Sequence, residues 1–145
     1  MKEIHAEIEI DASAARVWGI LTDFAAYPEW NPFIREISGD TKVGSGLRVR
    51  MQPPGGRAMT FKPHLLGFEP EHEIRWLGKL FIPGLFNGEH AFAIEKLGDG
   101  RVRFSQHEKF TGLLVAFLPG MLKGAAWGFQ AMNRALKERA ESAGA

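Results

Sequence analysis

His90 and Glu108 are the pair in this chain best suited to acid–base chemistry. They lie on either side of the turn signal Gly98-Asp99-Gly100. An imidazole set opposite a carboxylate makes a base with its orienter, and a modest shift brings histidine near neutral pH. The same couple also serves as a buried polar pair that pins strand register or meets a ligand head group. The register across the turn decides whether the two meet. With Gly98-Asp99-Gly100 as the loop, Ile94 pairs with Phe104, Phe92 with Gln106 and His90 with Glu108, all on one inner face. A slip by one residue sets Phe104 opposite Glu95 and mixes the faces. Two ligands from one hairpin leave a metal's coordination short, and neither a metal nor a cofactor is expected.

Other chemistries are absent from the residues. The chain has no cysteine, which removes thiol nucleophiles, disulfides and sulfur-ligated zinc. No serine sits on a strand-to-helix elbow, and no glycine-rich phosphate loop follows a strand and opens a helix. The formal charge is +1. Arg48, Arg50, Arg101 and Arg103 make only a sparse basic surface without aromatic interleaving, so a nucleic-acid partner is not expected. At 145 residues, 45% hydrophobic and 24% charged, residues 1–145 read as one globular domain. No apolar run reaches the roughly 18 residues of a membrane-spanning helix. The alternating, acid-bearing N-terminus does not read as a signal peptide. A cytoplasmic location is expected, with monomer and homodimer both open.

The elements that must position the pair follow from periodicity. Ile4, Ala6, Ile8 and Ile10 alternate with Glu3, His5, Glu7 and Glu9, the pattern of a half-buried antiparallel strand. Asp11 and Ser13 supply helix-start chemistry, and Ala14, Val17, Trp18 and Leu21 carry a short helix to about Thr22. A second brief helix or turn covers Asp23 to Tyr27. Pro28 and Pro32 predict a loop through Glu29-Trp30-Asn31. From Phe33 to Thr111 strand follows strand: Ile34–Ser38, Leu47–Gln52, Met59–Phe68 with Pro63 at an edge or bulge, Glu73–Leu80, Glu89–Leu97 and Arg101–Thr111. The last segment is a long amphipathic helix from Pro119 or Gly120 to near Ser142. Its apolar stripe is Leu122, Ala125, Ala126, Phe129, Met132, Leu136 and Ala140. At roughly 100° per residue, Trp127 falls about 160° from Phe129. Gly124 and Gly128 weaken this helix by about 1 kcal/mol each relative to alanine.

Short turns join the middle strands into an antiparallel meander. Its apolar face needs a cover, and the long C-terminal helix is the element available. A strongly curved sheet around one helix tends to leave a gap, where ligand pockets form. His90, Gln106, Glu108 and Asn133 face inward beside Trp76, Phe92, Phe104, Phe110, Phe129 and Met132. A few convergent polar groups in a mostly apolar lining suit a small hydrophobic ligand. Two apolar loops, Phe81–Phe86 and Leu113–Pro119, read as lids, membrane-touching tips or a dimer surface, or as a small satellite core packed on itself. Trp30, Phe81, Leu85, Phe86 and Phe117 are the candidates for a cavity entrance. Asn31 has a simpler role as the residue that holds a turn.

The segments Ile8-Glu9-Ile10-Asp11-Ala12-Ser13, Val17-Trp18, Thr22-Asp23 and Tyr27-Pro28-Glu29-Trp30-Asn31-Pro32 resemble the start of the SRPBCC superfamily. Ile74-Arg75-Trp76-Leu77-Gly78, Gly84-Leu85-Phe86-Asn87-Gly88-Glu89-His90 and Glu108-Lys109-Phe110-Thr111-Gly112-Leu113-Leu114 resemble its polyketide cyclase/dehydrase and lipid transport branch. Met132-Asn133 with Ala135-Leu136-Lys137 fits the end of that branch's last helix. The resemblance covers nearly the whole chain. It implies an α+β helix-grip fold, as in START and Bet v 1 domains: two short helices after the first strand, and a curved antiparallel sheet of about seven strands around the long helix. It carries over no catalytic residue, because the superfamily spans carriers, cyclases, receptors and chaperone cofactors.

Three functions follow as expectations. The first is binding, with or without transport, of a lipid or polyketide-like molecule between sheet and C-terminal helix, with transient membrane contact compatible. The second is a cyclase or dehydratase with His90 as general base. The third is an interaction module of the chaperone-cofactor kind, with the two apolar loops as its partner surface.

Overall fold

The computed structural model describes residues 2–80, 84–117 and 119–142. The first strand, β1 (Lys2–Ile10), alternates exposed and covered residues as its sequence requires. Ser13 then caps α1 (Ala14–Thr22) by accepting from the Arg16 amide at 3.1 Å. A single 3-10 turn, Phe24–Ala26, leads into a one-turn helix, α2 (Tyr27–Trp30). The sequence predicts a loop there. The helix forms because Pro28 sits in its first turn, where a missing N–H leaves no bond unmade. Asn31 ends it, and its Oδ1 accepts from the amides of Phe33 and Ile34 at 2.9 and 2.8 Å. Tyr27 is buried and donates its hydroxyl to Leu21 O at 2.6 Å. Burial, reinforced by Asp23, pushes its phenol up, so it stays a donor.

Among the described residues, eight strands follow the helix-grip order. They are β1, β2 (Ile34–Gly39), β3 (Leu47–Met51), β4 (Met59–Phe61), β5 (His64–Glu69), β6 (Glu73–Leu80), β7 (Phe86–Gly98) and β8 (Arg101–Thr111). They form two antiparallel ladders, β1-β8-β7-β6-β5 and β2-β3-β4, rather than one continuous sheet. A bridge between Gly46 and His64 joins them. The expected strand Met59–Phe68 divides into β4 and β5 at Lys62-Pro63, since proline has no amide to continue a ladder. The chain then changes sheets. The β7–β8 register is Ile94 with Phe104, Phe92 with Gln106 and His90 with Glu108, as the face-matching argument predicts. The loop is tighter than the predicted three residues. Gly98 pairs with Arg101, and the shift is absorbed by a bulge between Lys96 and Gly98.

The long helix, α3 (Pro119–Glu141), covers the inner face. Phe129, Met132, Leu136 and Ala140 are buried against Ile10, Val17, Leu21, Phe92 and Phe104 in the main core. Trp127 points away and is 50% exposed, as its angle on the helix predicts. Two glycines of α3, Gly124 and Gly128, are points of close approach. A side chain on Gly128 would overlap the Phe33 ring, and one on Gly124 would meet Pro53 at 3.2 Å. Phe86, Phe110 and Val115 form a second, smaller core with Leu114, Met121, Leu122 and Ala125. Here the two apolar loops meet: the amides of Leu113 and Leu114 donate to Gly84 O and Leu85 O at 3.2 and 2.8 Å. Among the described residues, no helix is long and apolar enough to cross a membrane.

Candidate functional site

Strands β7 and β8 place His90, Gln106 and Glu108 in one chain of hydrogen bonds that ends at Asn133 on α3. His90 Nδ1 lies 2.7 Å from Glu108 Oε1, and His90 Nε2 lies 3.0 Å from Gln106 Oε1. Gln106 Nε2 donates to Asn133 Oδ1 at 2.8 Å and more loosely to Phe129 O at 3.4 Å. His90, Gln106 and Asn133 are buried, and the Glu108 side chain is 14% exposed. The directions of the Gln106 bonds follow from Phe129 O, a backbone carbonyl that can only accept. It turns the Gln106 amide nitrogen toward α3 and its oxygen toward His90. His90 Nε2 therefore carries a hydrogen. A single further proton then serves the contact between Nδ1 and Oε1, held on the imidazole or on the carboxyl.

Aromatic rings enclose this histidine. Trp76 stacks on it with centroids 5.3 Å apart and planes at 21°, and Phe129 meets it edge-on at 4.9 Å. Phe92 lies at 4.5 Å. The stacked face suits an imidazolium. The ring is sealed from solvent, so Glu108 is the group through which the chain of bonds reaches open space.

That space is a cavity of about 70 Å³ between the first half of α3 and strands β3, β4, β7 and β8. Glu108 is the one acidic or basic residue among the described residues that line it. Around it stand Phe33, Met51, Pro53, Met59, Phe61, Phe86, Phe110, Met121 and Ala125. The carboxylate has room because residue 88 is glycine: a side chain there would overlap Glu108 Oε2. No described residue hydrogen-bonds that second oxygen.

Of the residues singled out in the sequence, Glu108, Phe110 and Phe86 line the cavity. Trp76, His90, Phe92, Gln106, Phe129 and Asn133 come together behind it, with Phe104 and Met132 in the same core. Leu85 is partly buried beside Phe86. Phe81 and the side chain of Phe117 lie outside the described residues. Trp30 is elsewhere: it lines an open groove of about 370 Å³ with Arg16, Gly19, Ile20, Asp23, Ala26 and Arg139, beside the last turn of α3. The cavity wall that the sequence does not single out is Phe33, Met51, Pro53, Met59, Phe61, Met121 and Ala125. The available signal was a methionine on each side of the Pro53-Pro54-Gly55-Gly56 turn. Among the described residues, no three His, Asp or Glu side chains converge as metal ligands.

A family model described as polyketide cyclase / dehydrase and lipid transport matches residues 1–141. The chain belongs to this family. Solved structures of START and aromatase/cyclase proteins have the same fold as this family member. A START superfamily protein from Mycobacterium smegmatis is 24% identical, with a TM-score of 0.75 over 96% of this chain and 97% of that one. The Zhui aromatase/cyclase from Streptomyces sp. R1128 is 14% identical, with a TM-score of 0.72 over 99% and 98% of the two chains. The di-domain ARO/CYC protein BexL of the BE-7585A biosynthetic pathway is 16% identical. The match has a TM-score of 0.72 and covers 97% of this chain but 50% of that one. No curated protein matches the sequence.

Proposed function

We propose that this family member binds a hydrophobic or amphipathic small molecule in the cavity between the first half of α3 and strands β3, β4, β7 and β8, with the molecule's polar end at Glu108. The observation that carries this reading is an apolar cavity whose described wall includes one carboxyl-bearing residue, Glu108, tied through Oε1 to the buried His90. At about 70 Å³ the space holds little more than two waters, and ligand pockets of roughly 300 Å³ or more are usual. An occupant therefore displaces Met51, Met59 and Met121. These unbranched side chains repack at low cost. Each methylene buried adds about 0.8 kcal/mol to affinity.

Native mass spectrometry of freshly purified protein, followed by extraction, identifies any carried molecule. An Ala125→Trp variant fills the cavity from the helix side. It is expected to lose at least tenfold in affinity for an alkylbenzene probe while keeping its circular dichroism spectrum. Unchanged binding by this variant places the ligand elsewhere and ends the proposal.

A catalytic reading rests on the same pair, and the family description and the aromatase/cyclase fold favour it. In a cyclase or dehydratase reaction Glu108 touches the substrate, and His90 shares the proton that is taken or returned. His90→Ala then abolishes turnover while binding is retained. Loss of binding in a folded His90→Ala variant assigns the histidine to ligand recognition instead.

A further inference from the structure

The cavity's polar pole has a fixed hydrogen-bonding sense, and that sense selects the ligand. Gln106 donates toward Asn133 and Phe129 O, so its oxygen takes the hydrogen of His90 Nε2. The remaining proton lies between His90 Nδ1 and Glu108 Oε1. If it rests on nitrogen, Glu108 is a carboxylate and Oε2 is an acceptor. If it rests on Oε1, Oε2 is the carbonyl oxygen of a carboxylic acid and is again an acceptor. Oε2 lies over Gly88, in the space a side chain there would take, and the other described residues lining the cavity beside Glu108 are apolar.

Building on the binding reading above, we infer that the site takes ligands whose buried tip is a hydrogen-bond donor, such as a phenol, an alcohol or an amine, and rejects isosteric ligands that can only accept. An acceptor-only tip leaves Oε2 unpaired in an apolar cavity and sets two lone pairs against each other. A fatty carboxylate adds like-charge repulsion whenever the proton is on His90. The selective element is the carboxyl together with the backbone carbonyl, three residues away along the hydrogen-bond chain, that orients it.

The test is isothermal titration of the intact protein with 4-propylphenol, 4-propylanisole and propylbenzene, which share one skeleton and carry no charge. The wild-type protein is expected to bind the phenol about tenfold or more tightly over the anisole, the usual scale for a hydrogen bond to a charged group. Glu108→Leu is expected to bring the two within about twofold, with propylbenzene binding kept or improved. Gly88→Ala, which crowds only the end of the Glu108 side chain, supplies a second variant whose fold is not at risk. It is expected to shrink the phenol preference by threefold or more, on the steric argument that Oε2 must move. Equal binding of phenol and anisole by the wild type, with propylbenzene bound, overturns the donor rule and leaves the cavity reading standing. So does a phenol preference that survives both variants. Binding of none of the three probes overturns the cavity reading and the donor rule with it.

Discussion

The two halves of α3 pack in opposite ways. The C-terminal half is dry and tied down. Met132, Leu136 and Ala140 are buried in the main core. The Arg16 guanidinium donates to Arg139 O, Ala140 O and Ser142 O at the helix end, where unpaired carbonyls and the helix dipole both favour a cation. Lys137 bridges Glu9 O and Glu141, and Glu141 accepts from the Asp11 amide. The N-terminal half has three glycines, Gly120, Gly124 and Gly128, and partly covered Met121, Leu122 and Ala125 above a cavity. Rigidity sits where the helix meets β1 and α1, and adaptable surface sits where it meets β3 and β4. A helix built this way is hydrogen-bonded to its surroundings at one end and borders a cavity at the other.

The contrast makes graded predictions. Leu136→Ala removes a fully buried side chain from the tied half and is expected to cost about 3 kcal/mol in urea unfolding. Met121→Ala, at the cavity, is expected to cost less than about 1 kcal/mol and to raise affinity for bulky probes. Equal costs at the two positions erase the distinction. Gly128→Ala is expected to destabilise by about 2 kcal/mol despite alanine's better helix propensity, because its methyl group overlaps Phe33. Gly120→Ala, with nothing near its added carbon, is expected to stabilise by about 0.5 kcal/mol, measured by the same unfolding midpoints.

The smallest effect is with pH. The hydrogen bond from Lys137, and then the bond from the Asp11 amide, hold the Glu141 carboxyl below the usual carboxylate range. Its contribution is therefore present above the unfolded carboxylate's titration and is lost as pH falls through the lowered folded value. The group lies at the surface, so the loss is a few tenths of a kcal/mol. It is read as faster amide exchange in the last turn of α3 at acid pH. Glu141→Gln is expected to show that faster exchange already at pH 7 and to lose its pH dependence.

Some of the site was legible in the chain because strand faces alternate. Once the turn at Asp99-Gly100 is placed, period two puts His90, Phe92, Ile94, Phe104, Gln106 and Glu108 on one side. The apolar stripe of α3 and the exposure of Trp127 follow from helical period in the same way. The helix at Tyr27–Trp30 was obscured because proline's meaning depends on its position in the first turn. The division at Pro63 was visible as an interruption but not as a change of sheet.

Periodicity and face-matching therefore determined the elements, the β7–β8 register and the inward set of polar residues, since these depend on neighbours close along the chain or across one turn. Which of those residues border open space was decided only in three dimensions. His90 is walled in by Trp76, Phe92 and Phe129, while Glu108 reaches the cavity because Gly88 leaves it room. The remaining walls come from Phe33, Met51, Met59, Phe61 and Met121. These belong to three separate stretches of chain, and only packing brings them together, by the volumes and contacts of side chains far apart in sequence.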